Sequence, residues 1–388
     1  MSSLLVKLFI KDKDNVTDTK VRTAYGILSG VVGIVLNLIL CAAKFFVGSL
    51  TGSIAITADA ANNLSDAGSS VVTVFGFKLS NKPSDEDHPF GHGRIEYIAA
   101  LIVSFLILFM SYELGRSSVE KIMNPKPVKF SVVSAVIIAV SILGKIWLAF
   151  FNNKLGKKIN SAAMTAVVKD SIGDILATSI TLIALILSKF TTLPVDGYLG
   201  ILVSLFVLYA GIGILKETVG TLLGRPPEKE FVNEFECRVL SYEGVEGIHD
   251  MMIHDYGPCR LFGSVHIEVP ANVDICVSHD LADIIEKEVG EAMGMTLVVH
   301  LDPIVTDDES VNELKAVTAG IIKNIDESYT FHDFRVVKGP THTNLIFDLV
   351  VPHDHQQKNS EIAAHVSKMI NLYDPTFFCV ITVEHSFV

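Results

Sequence analysis

The chain has few charged residues and no cysteine motif, and these absences narrow the class of protein. Five cysteines among 388 residues are scattered without a CxxC spacing, and their odd number leaves no complete set of disulfides. Neither HExxH nor GxSxG occurs, so the sequence gives no support for a membrane metalloenzyme. Charged residues make up only 19% of the chain and hydrophobic residues 49%, and the mean hydropathy is +0.45, which together predict a membrane protein.

Charge is divided unevenly along the chain. Up to residue 217 there are 20 Lys and Arg against 15 Asp and Glu, and after it 11 against 28, consistent with the net charge of −12. A basic apolar half therefore precedes an acidic polar tail. This division argues against a nucleic-acid partner and favours cationic ligands.

Six apolar segments are long enough to cross a bilayer, because a spanning helix needs about 20 mostly apolar residues. They cover residues 22–48, 53–80, 95–114, 130–151, 160–188 and 194–216. Six crossings put both termini on one side, and the excess of Lys and Arg in alternate loops places that side in the cytosol. We expect a cytosolic segment over residues 1–20 and a six-helix domain over residues 21–218, in the cell (inner) membrane.

Two polar pairs interrupt these segments near their midpoints. Asn62 and Asp66 are four residues apart in the second segment, and Asp170 and Asp174 in the fifth, so each pair projects from one helix face. The two segments run in opposite directions, which brings the pairs to one depth. Ionisable groups there are costly and usually functional, and oxygen ligands suit manganese or magnesium better than zinc. We predict a cation site; the alternative is hydrogen bonding between helices.

Two lysines, Lys44 and Lys145, also fall within the apolar segments, near the ends of those segments. A long side chain at such a position can carry its ammonium group to the membrane surface. We therefore expect both lysines to reach the interface, in contrast to the mid-span pairs.

The loop after the second segment reads DEDHPFGHGR over residues 85–94. Asp85, His88 and His92 have the spacing of metal ligands and predict a site at the mouth of an inner vestibule. A polar turn fixed by proline and glycine explains the same residues without a metal.

The composition changes after the sequence GRPP at residues 224–227, which predicts a domain boundary. Helices over 228–240 and 279–292 and strands over 245–256, 261–269 and 296–301 predict an α/β domain with one antiparallel sheet, within residues 219–304. Three dipeptides recur roughly 80 residues later, which indicates a second related α/β domain over residues 310–388. His249-Asp250 recurs as His332-Asp333, Gly257-Pro258 as Gly339-Pro340, and Val269-Pro270 as Val351-Pro352.

Histidines gather at the ends of the predicted tail elements. Imidazole together with carboxylate suits zinc and related metals, so we expect a metal site there. Its candidate ligands are His249, His266, His279, His300 and Asp302. His332, Asp348 and His385 echo this set in the second domain, too loosely to predict another site.

These motifs resemble those of the cation diffusion facilitator family. The NxxxD of the second segment, the HPFGHGR loop, the DxxxD of the fifth segment and the His/Asp pattern of the tail follow the family's order over residues 21–303. The resemblance implies a homodimer that exports divalent cations in exchange for protons. It implies a secondary transporter, not an enzyme, with a ferredoxin-like cytosolic domain.

The identity of two polar residues narrows the resemblance. Zinc-transporting members commonly have Asp or His in the second segment and His then Asp in the fifth, where this chain has Asn62 and Asp170. This pattern is similar to that of the manganese-exporting branch. We expect Mn²⁺ as the transported ion and Zn²⁺ or Mn²⁺ in the cytosolic domain. The alternatives are a Zn²⁺ or Fe²⁺ exporter of the same family and a membrane-anchored metal sensor.

Overall fold

The computed structural model divides the chain into two compact units. The first comprises residues 1–225 with 256–259, and the second comprises residues 226–255 with 260–388. The described residues are 2–51, 54–124, 132–187, 195–352 and 357–385. The span ends predicted at residues 53, 130, 188 and 194, and the last three residues of the predicted second tail domain, lie outside these ranges.

The first unit is built of helices. After α1 (Ser2–Phe9) come six long helices: α2 (Thr19–Thr51), α3 (Ile54–Ser80), α4 (Ile95–Met123), α5 (Val132–Ile159), α6 (Ala162–Leu187) and α7 (Val195–Leu223). Among the described residues, four stretches are long and apolar enough to cross a membrane: Thr19–Val47, Ile95–Met123, Ala135–Ile159 and Gly197–Leu223. The other two long helices, α3 and α6, carry the polar pairs. A helical membrane domain is thus confirmed, whereas the count of six crossings stays a prediction.

Several of these helices are longer than the apolar segments that predicted them. α4 continues to Met123, whereas the segment ends at residue 114, and α5 continues to Ile159, whereas the segment ends at residue 151. An apolar run measures the thickness of the bilayer, and a helix continues beyond it wherever the following residues permit. The midpoint of a helix therefore differs from the midpoint of its apolar run.

The α2 and α3 helices pack closely because α2 presents glycines to α3. A side chain at Gly26 would collide with the ring of Phe77, and one at Gly30 would collide with Val74. Small residues spaced four apart let two helix backbones approach each other closely. In a membrane such packing drives helix association, because lipid provides no hydrophobic driving force between helices. This packing fixes α3, and with it the first polar pair.

A buried polar network joins one end of this bundle. The guanidinium of Arg22, at the start of α2, donates to Glu96 Oε1 over 3.0 Å and to the carbonyl of Asn160 over 3.2 Å. The hydroxyl of Ser161 donates to the same carboxylate oxygen over 2.6 Å. Glu96 lies in the first turn of α4, and residues 160 and 161 join α5 to α6. Four helices therefore meet at one buried ion pair.

The second unit begins with an α/β arrangement that we call the first tail subdomain, residues 229–304. It contains α8 (Lys229–Val239), β1 (Gly247–Asp255), β2 (Leu261–Pro270), α9 (Ile275–Met293) and β3 (Met295–Ile304). The sheet order is β1-β2-β3, with β1 antiparallel and β3 parallel to β2. The prediction of one antiparallel sheet was therefore wrong. A connection as long as α9 returns the chain parallel to the preceding strand, as in a βαβ unit.

The ferredoxin-like order β-α-β-β-α-β is represented here by its last five elements. Among the described residues, no strand precedes α8. The core of the subdomain lies between sheet and helices and includes Phe235, Val265, Ile267 and Ile285.

The second tail subdomain, residues 309–385, has the same arrangement. It contains α10 (Glu309–Ile325), β4 (Thr330–Lys338), β5 (Thr343–Val350), α11 (Asn359–Tyr373) and β6 (Phe377–Glu384). Its sheet order is β4-β5-β6, again antiparallel and then parallel. A separate core forms around Phe347, Leu349, Val366 and Ile370.

Each first strand of a tail sheet is interrupted at the repeated His-Asp dipeptide. The pairing register shifts between His249 and Met252 in β1, and between His332 and Arg335 in β4. The aspartates there have positive φ angles, 49° for Asp250 and 52° for Asp333. Aspartate is one of the few side chains that tolerates this left-handed conformation, and such a residue marks a β-bulge. The dipeptide therefore has a backbone role in both subdomains.

Candidate metal sites

Three of the predicted membrane ligands come together between α3 and α6. Asp66, Asp170 and Asp174 each offer a carboxylate oxygen, and these oxygens lie within 4.8 Å of one another. Asp66 is buried, with 7% exposure, and the other two are half-buried. Asp170 and Asp174 share one face of α6 because they are four residues apart. We call this group the carboxylate cage.

The fourth predicted ligand, Asn62, lies one turn before Asp66 on α3 and is exposed. The buried amide is that of its neighbour Asn63, whose Oδ1 accepts a hydrogen bond from Lys44 Nζ over 3.3 Å. Asn62 and Asn63 lie four and three residues before Asp66, and both spacings place a residue on the same helix face. Spacing alone therefore does not show which of the two side chains is buried. Asn62 stays a predicted ligand.

Both membrane lysines are buried, so the expectation that they reach the interface was wrong. Lys145 has 4% exposure, and its Nζ lies 2.5 Å from Asp66 Oδ2 and 2.7 Å from Asp174 Oδ2. Lys44 has 1% exposure and lies 2.8 Å from Asp59 Oδ2. Lys145 lies near the end of the apolar run but at the centre of α5, because the helix continues beyond that run. Buried carboxylates also need a compensating charge.

The cage therefore contains its own cation. Three ionised carboxylates and the ammonium of Lys145 carry a formal charge of −2, which one divalent metal ion or two protons neutralise. Among the described residues of the first unit, Lys145 is the basic residue whose side chain contacts two carboxylates of the cage, Asp66 and Asp174. A metal ion that binds the same oxygens competes with Lys145 for them.

The three candidate ligands of the loop also lie together. Asp85, His88 and His92 bring one ligand atom each within 4.8 Å of the others. Local bonds account for much of this geometry: Asp85 Oδ1 accepts from the backbone N–H of His88, and Nδ1 of His92 meets the carbonyl of Pro83. The hydrogen bond from Lys82 lowers the pKa of Asp85 to about 2. The loop site stays a prediction, with a polar turn as its competing explanation.

In the first tail subdomain, four of the five predicted ligands gather on the sheet. His266 lies between its register partners His249 and His300 on neighbouring strands. Asp302 Oδ2 lies 2.9 Å from His266 Nδ1 and 3.2 Å from His249 Nε2, and its Oδ1 lies 3.4 Å from His300 Nε2. Three imidazoles therefore surround one carboxylate, a donor set that suits zinc and related metals.

The fifth predicted ligand, His279, is not part of this group. It lies on α9, where its exposed ring approaches Asp283 one turn further along, at 3.5 Å. Helical spacing of four residues explains this pairing without a metal.

Sequence reasoning missed three residues that face the tail group. Asp250 and Glu384 were not predicted as ligands, and His332 was considered too loose an echo to count. Burial, followed by the charges of Asp250 and Asp348, raises the pKa of Glu384 to about 7. Burial, followed by the charge of His249, lowers the pKa of His332. The repeated His-Asp dipeptide was the available signal for His332.

The apolar helix bundle contains an acidic cage with its own lysine, and the tail is rich in imidazole and carboxylate. This combination is that of a membrane protein that binds divalent cations. Two sequence profiles match the chain: the cation efflux transmembrane domain over residues 30–223 and the cation efflux protein cytoplasmic domain, ZT_dimer, over residues 227–304. The chain belongs to the cation efflux, or cation diffusion facilitator, family. It is a divalent-cation efflux transporter and not an enzyme. Both profiles end before the second tail subdomain.

Individual relatives agree with this assignment. An uncharacterized transporter of Methanocaldococcus jannaschii is 31% identical over 251 residues, which are 65% of this chain and 88% of the relative. The manganese efflux system protein MneS of Bacillus subtilis is 30% identical over 275 residues, 71% of this chain and 94% of the relative. The cation-efflux pump FieF of Klebsiella pneumoniae is 27% identical over 261 residues, 67% of this chain and 87% of the relative.

Proposed function

We propose that the protein is a Mn²⁺/H⁺ antiporter that works by alternating access, with the cargo held by Asp66, Asp170, Asp174 and Asn62. The observation that carries this proposal is the cage of three carboxylates between α3 and α6. Hard oxygen ligands suit manganese, whereas zinc sites favour nitrogen and sulfur. The similarity to the manganese efflux system protein of Bacillus subtilis supports the same ion.

The charge of the cage supports exchange for protons. Its formal charge of −2, after Lys145 is counted, matches one divalent ion or two protons. Clustered buried carboxylates are costly when ionised and uncompensated, so loss of the metal favours uptake of protons at the same oxygens. One site can therefore carry the two cargoes in turn without a separate proton path.

The wider arrangement belongs to the same proposal. Six crossings with both termini in the cytosol would place the tail on the side from which metal is exported, in agreement with the cytoplasmic-domain profile. The ZT_dimer profile supports a homodimer. We also infer that the second tail subdomain is a repeat of the first, because strand order, strand direction and the bulge agree.

Flux measurements in proteoliposomes test the proposed ion and coupling. Purified protein is reconstituted with an imposed pH gradient, and uptake of manganese, zinc, iron and cadmium is compared. We expect manganese to move fastest and to stop when the gradient is collapsed. Faster movement of zinc or iron would identify another exporter of the same family. A lack of flux for all four metals would favour a membrane-anchored sensor and contradict the transport proposal.

Selectivity is expected to change when imidazole enters the cage. Asp170→His supplies a nitrogen ligand of the kind that zinc prefers, so the ratio of zinc to manganese flux should rise by about tenfold or more. The two fluxes are measured in the same proteoliposomes. Asp170→Asn is the matched control, because it removes the charge without adding imidazole, and should lower both fluxes. An unchanged ratio in Asp170→His would place selectivity elsewhere.

A further inference from the structure

The two tail subdomains meet through equivalent residues. His249 of β1 and His332 of β4 stack, with ring centroids 4.0 Å apart and planes 18° from parallel. Each histidine precedes the left-handed aspartate of its own bulge. The backbone N–H of Asp333 also donates to Glu268 Oε1 of β2 over 3.4 Å. The strand of the second subdomain that carries His332 therefore packs against the part of the first sheet that carries the predicted metal ligands.

The strand registers define which residues are equivalent. In β1, β2 and β3, His249 pairs with His266, which pairs with His300, and Glu268 pairs with Asp302. In β4, β5 and β6, His332 pairs with Asp348, which pairs with Thr382, and Val350 pairs with Glu384. Glu384, and not His385, therefore corresponds to Asp302. The second subdomain keeps an imidazole and two carboxylates at these four positions, with a threonine in place of His300.

Two of these side chains, His332 and Glu384, lie close to Asp250 of the first subdomain. His332 Nε2 lies 3.8 Å from Asp250 Oδ1 and 3.8 Å from Glu384 Oε2. Two ligands about 2.1 Å from a tetrahedral ion stand about 3.4 Å apart, so small side-chain adjustments bring all three atoms to one ion. The two carboxylates carry like charge on either side of the imidazole, and a cation bound between the three groups would offset their repulsion.

Within the part of the chain that the structure describes, three buried ring nitrogens of these two imidazoles lack a hydrogen bond, although Nδ1 of His249 bonds to Asp250 Oδ2 over 3.3 Å. Among the described residues, neither ring nitrogen of His332 makes a hydrogen bond, although its side chain is only 11% exposed. Nε2 of His249, whose side chain is 6% exposed, approaches Asp302 but also makes no hydrogen bond there. Buried polar atoms are nearly always satisfied, and an ion is one recognised reason for an exception.

We propose that the second tail subdomain completes a metal position of its own, in which Asp250 of the first subdomain and His332 and Glu384 of the second bind one divalent cation. This ion is separate from the one predicted at His249, His266, His300 and Asp302, so the tail binds two. Because its ligands come from both subdomains, binding holds them together and stabilises the tail. The position does not depend on which ion crosses the membrane.

The test counts zinc bound to the full-length protein in detergent, in an Asp66→Asn, Asp174→Asn, His88→Ala background that disables both the carboxylate cage and the predicted loop site. Equilibrium dialysis against Zn²⁺ is expected to give two ions per chain. His332→Ala and Glu384→Gln should each leave one ion, or weaken the second by about tenfold or more, as loss of a metal-site partner usually does. His266→Ala should leave the second ion in place.

His365→Ala is the matched control, since His365 is an exposed histidine on α11 of the same subdomain, and it should keep both ions. Thermal unfolding in EDTA should be unchanged in each variant, and Glu384→Gln preserves side-chain size in case His332→Ala disturbs folding. The proposal is overturned if either His332→Ala or Glu384→Gln, folded as wild type, keeps two ions at unchanged affinity. The cage is silent in every sample, so this result is independent of the transport proposal.

Discussion

Asp66→Asn and Asp174→Asn are each expected to lower manganese transport by about 100-fold or more, because loss of even an outer partner of a metal site costs about 10–100-fold and these residues are proposed as direct ligands. Each substitution removes one carboxylate ligand and leaves Lys145 with one partner instead of two. Asparagine has nearly the same volume as aspartate, so helix packing should be preserved. Manganese uptake into proteoliposomes measures the effect, with equal amounts of reconstituted protein.

Thr73→Ala serves as the matched control for Asp66→Asn. Thr73 is buried on α3, about two turns from Asp66, and within the described part of the chain its hydroxyl donates to the carbonyl of Ser69 one turn earlier. This variant should keep transport close to wild type while altering a buried polar group on the same helix. Near-normal manganese efflux in Asp66→Asn or Asp174→Asn would show that the cargo binds elsewhere.

Lys145→Met is expected to tighten manganese binding by about tenfold or more, because it removes a cation that occupies the same oxygens. The substituted cage has three carboxylates and no internal counter-charge, so the metal ion no longer displaces an ammonium group. Tighter binding should also slow release and therefore lower turnover. Equilibrium dialysis of the detergent-solubilised protein measures affinity, and proteoliposome uptake measures turnover.

Two further variants separate this competition from a general packing effect. Lys145→Arg keeps the positive charge and should bind manganese no more tightly than wild type. Ser141→Ala changes a buried polar residue one turn earlier on α5 and should leave affinity unchanged. If Lys145→Met binds manganese as wild type does, or more weakly, Lys145 does not compete with the cargo.

The helical membrane domain and the acidic pairs could be predicted because both depend on local pattern. Apolar runs of sufficient length specify helices, and a spacing of four residues specifies one face. The pairing of Lys145 with Asp66 and Asp174 depends on the packing of α5 against two other helices, which periodicity does not contain. For the same reason Asn63, and not Asn62, proved to be the buried amide.

In the tail, the sequence predicted the elements well and their pairing less well. The boundaries of β1 and β2 differ from the prediction by at most two residues, but the direction of β3 depends on the length of its connection through α9. The correspondence of Glu384 with Asp302 follows from the pairing register of the strands. A similar order of residue types in the two halves of the tail does not determine that register. The repeated His-Asp dipeptide marked His332 as the equivalent of His249, but the contact between the two rings depends on how the subdomains pack, which the sequence pattern does not contain.

We expect the ion pair between Arg22 and Glu96 to limit how the helix bundle moves during transport. It joins the start of α2 to the first turn of α4 and, through Ser161, to the junction of α5 and α6. Separating desolvated charges is expensive, whereas tilting helices about an intact contact is not. We expect this end to act as a fulcrum: during the transport cycle the helices would swing around it, and the largest displacements would occur at the opposite end.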